Sequence, residues 1–176
     1  RELGVFVMEA TWSLFLPAVR QARRWLEEDR IGKIIFAEVD LGFKAVKNPQ
    51  NRFFNPDLGA GTSYDLTIYA YEITSFLLRQ AVKKTDVYVN WDQNGVDISG
   101  QIHIRYESAM GVFRSTFETK IKEQLILYGE YGKIIIPSPH KSSEAFLYCE
   151  GTEDPVHYKD LQTKNGFEYE ITEVIQ

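Results

Sequence analysis

Val96-Asp97-Ile98-Ser99-Gly100-Gln101-Ile102-His103-Ile104-Arg105-Tyr106 alternates apolar and polar side chains along the chain. A period of two belongs to a strand with one face in a core and the other toward water. Ile98, Ile102, Ile104 and Tyr106 take one face, and Asp97, Ser99, Gln101, His103 and Arg105 the other. Runs of similar character stand at 86–91, 111–120, 123–128 and 133–136, and two more are expected near 145–149 and 156–158. Glu107-Ser108-Ala109 and Glu130-Tyr131-Gly132 are connections too short for anything but antiparallel hairpins.

Upstream the period changes. Pro17 suits a first helical turn, and Val19, Ala22, Trp25 and Leu26 then recur at helical spacing to about Asp29, with Gly32 as terminator. Lys33 to Phe43 is a strand apolar on both faces, which places it in mid-sheet or under a partner subunit. A second helix, Thr62 to Gln80, is apolar nearly all round, as for a buried helix. Val5-Phe6-Val7-Met8 reads as a short buried strand, and a last helix begins near Phe167. The expected fold class is therefore α+β: a large, mostly antiparallel open sheet with helices packed on one face. Tyr88, Phe113, Phe117 and Tyr128 are assigned to the other face, and such an apolar surface predicts a homodimer or higher homo-oligomer formed through the sheet.

Composition narrows the function. The 176 residues are 44% hydrophobic and 14% aromatic, enough for one well-buried domain. A net charge of −5 argues against a nucleic-acid partner, and the basic cluster Arg20–Arg24 is offset by Glu27, Glu28 and Asp29. No run is long enough to cross a membrane. The lone Cys149 fits a reducing, cytoplasmic setting and reads as an inert thiol. His103, His140 and His157 lack metal-ligand spacing, so no metal is expected. Trp25 and Trp91 read as packing residues, and His103 as a surface or interface residue. The opening Arg1-Glu2-Leu3-Gly4 resembles the end of a helix and the close at Gln176 falls inside one, so the chain reads as a piece of a longer protein.

The chemistry is concentrated in Gly59-Ala60-Gly61-Thr62-Ser63-Tyr64-Asp65-Leu66-Thr67-Ile68-Tyr69, a glycine turn running into the second helix. Helical spacing puts Asp65 and Tyr69 on one face, a pair suited to proton transfer at a substrate hydroxyl or carbonyl. Structural readings stand beside this one. Thr62 and Asp65 are spaced nearly as a capping box, and Tyr69 could be a core residue with a hydrogen-bonded tip. The preceding loop, 45–61, is polar and long enough to be functional, with Arg52, Phe53 and Phe54 inside it. Lys44 and Lys47 could reach an anionic group, or simply be solvated.

Gly4 to Ala10, Trp12, Phe15 and Pro17, with Asn51 to Gly61, Asp65 and Tyr69, together resemble the second domain of the Gfo/Idh/MocA oxidoreductases. Within that family they are most similar to the branch of dimeric dihydrodiol and NADP-dependent xylose dehydrogenases. The resemblance implies a glyceraldehyde-3-phosphate-dehydrogenase-like C-terminal domain over residues 1–176. In it substrate binding and oligomerisation would reside, while NAD or NADP would be held mainly by a preceding Rossmann domain. It implies hydride transfer between that cofactor and a sugar, polyol or diol. Tyr69 matches the general acid/base and Asp65 its acidic partner, while Trp12, Arg52 and Phe43 become substrate-binding candidates. The chain has neither a GxGxxG fingerprint nor a Glu-Lys-Pro segment, where the family carries a catalytic lysine, so the isolated fragment is expected to be inactive. Leu14 stands where the branch commonly has arginine, and Thr67 where it has glycine. The alternative is a non-catalytic ligand-binding or dimerisation module of the same fold.

Overall fold

A computed structural model describes residues 7–175. Its strands are β1 (Ile34–Gly42), β2 (Val82–Trp91), β3 (Asp97–Tyr106), β4 (Met110–Thr116), β5 (Gln124–Gly129), β6 (Gly132–Pro137), β7 (Glu144–Cys149) and β8 (Val156–Lys159). They form one eight-stranded sheet in the order β2-β3-β4-β1-β5-β6-β7-β8. Every pairing is antiparallel except β1 with β4. β1 thus lies in the middle of the sheet, one of the two placements its apolar run allowed. The helices are α1 (Pro17–Glu27), α2 (Ile68–Leu78) and α3 (Phe167–Ile175). The expected strand at residues 5–8 falls partly outside the described residues, and Val7 and Met8 are not in a strand.

One face of the sheet carries the core. Ala37, Val39 and Leu41 of β1, Leu125 and Leu127 of β5, and Ile134 and Ile136 of β6 are fully buried. Ala18, Val19, Ala22 and Trp25 of α1, with Ala70, Ile73 and Leu77 of α2, pack onto them. Removing each large aliphatic side chain from water contributes about 1.5–3 kcal/mol, so this layer holds the helices in place. α2 is not buried all round, contrary to its composition. Ile68 and Tyr71 remain about 40% exposed because the helix covers β1 and leaves its far side open.

The opposite face has no covering layer among the described residues. Its surface differs from the expectation in one respect: Phe113 and Phe117 are core residues, each 2% exposed. The register explains Phe113, which stands opposite both Val39 and Ile102 and so points with them toward the helices. Phe117 instead ends in an aromatic cluster with Phe43, Phe53 and Phe54, its ring centroid 5.2 to 6.0 Å from theirs. The open face is made of Phe36, Met110, Tyr88 and Tyr128, with the Asp40 carboxylate gripped in two bonds of 2.5 and 2.8 Å by Arg114. Trp25 is buried as expected, but Trp91 is 63% exposed at the end of an outer strand, where no helix reaches it.

Candidate active site

The glycine turn does set up the second helix, by a route the sequence conceals. Asp97, at the start of β3, places Oδ2 within 2.7 Å of both the Thr62 hydroxyl and the Ser63 backbone N–H, and 2.9 Å from the Ser63 hydroxyl. Asp97, not Asp65, therefore caps this helix, and the capping-box reading fails: Thr62 makes no side-chain cap. The first five residues, Ser63–Thr67, form a π-helical turn in which the Ile68 N–H reaches back to Ser63 O. Such widened turns occur often at functional sites. Thr67 is fixed to Ser115 of β4 by a hydroxyl bond of 2.8 Å, which ties the turn to the sheet.

The result is a pair of depressions sharing one wall. Asp65, Tyr69 and Arg52 line both, the larger being about 990 Å³ and the smaller about 730 Å³. Phe43 and Phe53 line the larger, their rings 5.3 Å apart, and give it an apolar wall. Arg52 donates to Asp65 Oδ1 at 2.6 Å and lies over the Phe53 ring at 4.3 Å. Because Arg52 is 64% exposed, this pair adds under about 1 kcal/mol to stability, and its effect is to hold the Asp65 carboxylate in place. No bond joins Asp65 to Tyr69 among the described residues.

Four of the five sequence candidates thus meet in one place: Asp65, Tyr69, Arg52 and Phe43. Trp12 does not. Its ring packs on Phe167 at 4.8 Å and over Gly166, where a Cβ would come within 2.3 Å of it, and it lines neither depression.

Sequence reasoning missed further residues of the larger cleft. His140 lines it, with its ring 6.1 Å from that of Tyr69, and Lys120, Lys122, Lys141 and Glu123 complete the rim beside Lys44, which the sequence offers for an anionic group. Burial pushes the His140 imidazole below its ordinary value; Glu123 and Asp65 oppose this and Lys141 reinforces it. The available signal was Pro137-Ser138-Pro139-His140, two prolines stiffening a loop directly before a histidine. Asp97 gave no signal, since it falls on the polar phase of its strand.

No described helix is long and apolar enough to cross a membrane, and no described cluster of His, Cys, Asp or Glu could hold a metal ion. Comparison with known proteins agrees with this fold. Residues 19–135 match the profile of the GFO/IDH/MocA C-terminal domain. The trans-1,2-dihydrobenzene-1,2-diol dehydrogenase of Mus musculus is 28% identical over 170 residues, which span 94% of this chain and 50% of that protein. The enzyme of the same description from Xenopus tropicalis is 28% identical over 140 residues, 78% of this chain and 42% of that protein. Among solved structures, levoglucosan dehydrogenase in complex with NADH and L-sorbose superposes with a TM-score of 0.79 at 17% identity, over 97% of this chain and 55% of that one. The chain spans about half the length of the curated relatives it matches. With two thirds of its residues inside the family profile and the same sheet architecture, the chain belongs to the GFO/IDH/MocA family, as a C-terminal domain.

Proposed function

We propose that this chain is the substrate-binding half of an NAD(P)-dependent oxidoreductase acting on a CH–OH group of a sugar, polyol or diol. The observation that carries the reading is the convergence of Tyr69, Asp65 and Arg52 on one open cleft. Relatives described as diol dehydrogenases, and a neighbouring structure holding NADH and a sugar, support the reaction class. The nicotinamide, when bound, accepts or donates the hydride at the carbinol carbon. The lysines Lys120, Lys122 and Lys141 at the cleft rim suit the phosphates of such a cofactor.

What this chain does is move and steady a proton. As the carbonyl forms, the substrate hydroxyl loses its proton to the Tyr69 oxygen, and in the reverse direction the phenol returns it. Tyrosine ordinarily titrates near 10, so a nearby ammonium is needed to favour the phenolate. That cation is assigned to a preceding nucleotide-binding domain. Asp65, with Oδ1 taken by Arg52, keeps Oδ2 to accept a bond from a second substrate hydroxyl. Phe43 and Phe53 cover the carbon face of the substrate.

The test is nicotinamide turnover by the complete enzyme against a panel of aldoses, polyols and diols, beside the 176-residue chain alone. Turnover by the complete enzyme and none by the isolated chain is the expected result. Turnover by the isolated chain, or a complete enzyme inert toward the whole panel, would sink the reading.

The same reading includes a homodimer through the open sheet face. It is supported by Phe36 and Met110, 41% and 49% exposed and paired with each other on the two central strands of that face. Phe36→Glu with Met110→Glu is expected to convert a dimer into a monomer in sedimentation velocity with the fold intact. A wild-type protein that sediments as a monomer at tens of micromolar rules the interface out.

A further inference from the structure

His140 is built into the cleft more firmly than a loop residue needs to be. Its carbonyl accepts a bond of 2.8 Å from the hydroxyl of Ser13, itself fully buried. The preceding Ser138 takes a left-handed φ of 42°, held between two prolines and bonded through its N–H to Glu123 O at 3.0 Å. Lys141 N–H closes back on Ser138 O at 2.9 Å. The loop after β6 is therefore pinned to the short helical turn Trp12–Phe15 that holds Ser13, and to the segment leading into β5, and the imidazole has a fixed place beside Tyr69.

Its two nitrogens are not equivalent. Nδ1 is shut off from solvent and has no hydrogen-bond partner, whereas Nε2 is not among such orphaned atoms and makes no bond to the described residues. A proton on Nδ1 would be a buried donor with nothing to accept it, which is more costly than an idle lone pair. The favoured state is thus a neutral ring with its proton on Nε2, the nitrogen that is not shut off. Protonating the ring would also bury a charge, and the groups facing it do not cancel that cost: Glu123 and Asp65 favour the cation, Lys141 disfavours it, and burial outweighs them. A neutral Nε2–H near a phenol acid/base is placed to donate to a substrate oxygen.

We infer that His140 is a substrate-binding residue, donating a hydrogen bond from Nε2 to an oxygen of the polyol or carbonyl substrate beside Tyr69. This rests on the oxidoreductase reading for its substrate, and its test has one arm that does not. In the complete enzyme, His140→Phe is expected to lower kcat/KM for the substrate by about 10- to 100-fold, the worth of one buried donor, with KM for cofactor unchanged. His140→Gln, whose amide nitrogen extends to where Nε2 stood, is expected to recover most of that loss, and His140→Asn, which reaches only as far as Nδ1, little of it. Circular dichroism of each variant separates a folding defect from loss of the donor.

The second arm follows the ring nitrogens of His140 by ¹⁵N NMR while xylitol and glycerol are titrated into the protein. A proton on Nε2 at pH 7 and a shift of Nε2 alone on adding either polyol are expected. Equal rescue by Gln and Asn, or full activity of His140→Phe, overturns the inference. So does a proton on Nδ1, or an Nε2 signal that neither polyol moves. An enzyme that turns over no member of the panel but shows the Nε2 shift would overturn the reaction and leave the donor standing.

Discussion

Replacing Tyr69 by phenylalanine in the complete enzyme is expected to lower kcat by about 10²–10⁴-fold, the range for loss of a positioned acid/base group. The KM for cofactor should stay unchanged, because the phenol hydroxyl is the only group removed. Tyr69 is half-buried, packed by its ring against the core and open at the cleft, so the shape of the site should survive the change. Asp65 stays tied to Arg52 in the variant, as it is in the wild type. The effect should therefore fall on the chemical step and not on folding, and a thermal melt within a degree or two of wild type is part of the expectation. If the variant keeps its kcat, Tyr69 is a packing residue and proton transfer must be assigned to another group of the cleft. A variant that loses KM and kcat together through a lowered melting point would instead show Tyr69 to be structural.

The strands were legible because this sheet has one buried and one open face, and that asymmetry writes a period of two into the residues of β3. A central position for β1 is one of the two that its doubly apolar run allows, and its neighbours bear it out. What the alternation could not supply was phase. Residues 111–120 carry Val112, Phe113 and Phe117 without a clean period, and only the pairing of Phe113 with Val39 and Ile102 shows which of them face the helices. The apolar character of α2 was misleading for a similar reason. A run of apolar residues does not say how much of the helix its own chain covers, and here one side of Ile68 and Tyr71 is left open.

The site divides along the same line. Asp65 and Tyr69 were legible from their helical spacing, while Arg52 and Phe43 entered through the family resemblance, and the structure gathers all four at one cleft. Asp97 and His140 belong to the same structure but come from distant positions, and only the sheet brings them in. The Arg52 bond to Asp65 was equally invisible, since loop 45–61 has no period from which to read where Arg52 points. Trp12 shows the converse: the family resemblance made it a substrate-binding candidate, while the structure gives its ring to Phe167 and Gly166.

Gly61→Ala is expected to be the most damaging small substitution near the site, with a loss of about 3 kcal/mol in folding stability, from the strained backbone and the displaced buried carboxylate together. Gly61 has a φ of +117°, a conformation that side-chain-bearing residues rarely adopt, and an added Cβ would stand 1.9 Å from Asp97 Oδ1. Asp97 cannot simply swing away, because its other oxygen holds Thr62 and Ser63 at the helix start. For a protein of this size the loss corresponds to a fall of about 6–12 °C in melting temperature. The two causes separate in a double-mutant cycle read by urea denaturation. Asp97→Ala alone frees three donors and is destabilising. Adding Gly61→Ala to it should then cost distinctly less than in the wild type, because the oxygen it met has gone. An equal cost in both backgrounds would assign the whole effect to φ and remove Asp97 from the account. A Gly61→Ala protein as stable as wild type would show that the turn can relax, and that Asp97 is not what holds Asp65 and Tyr69 at the cleft.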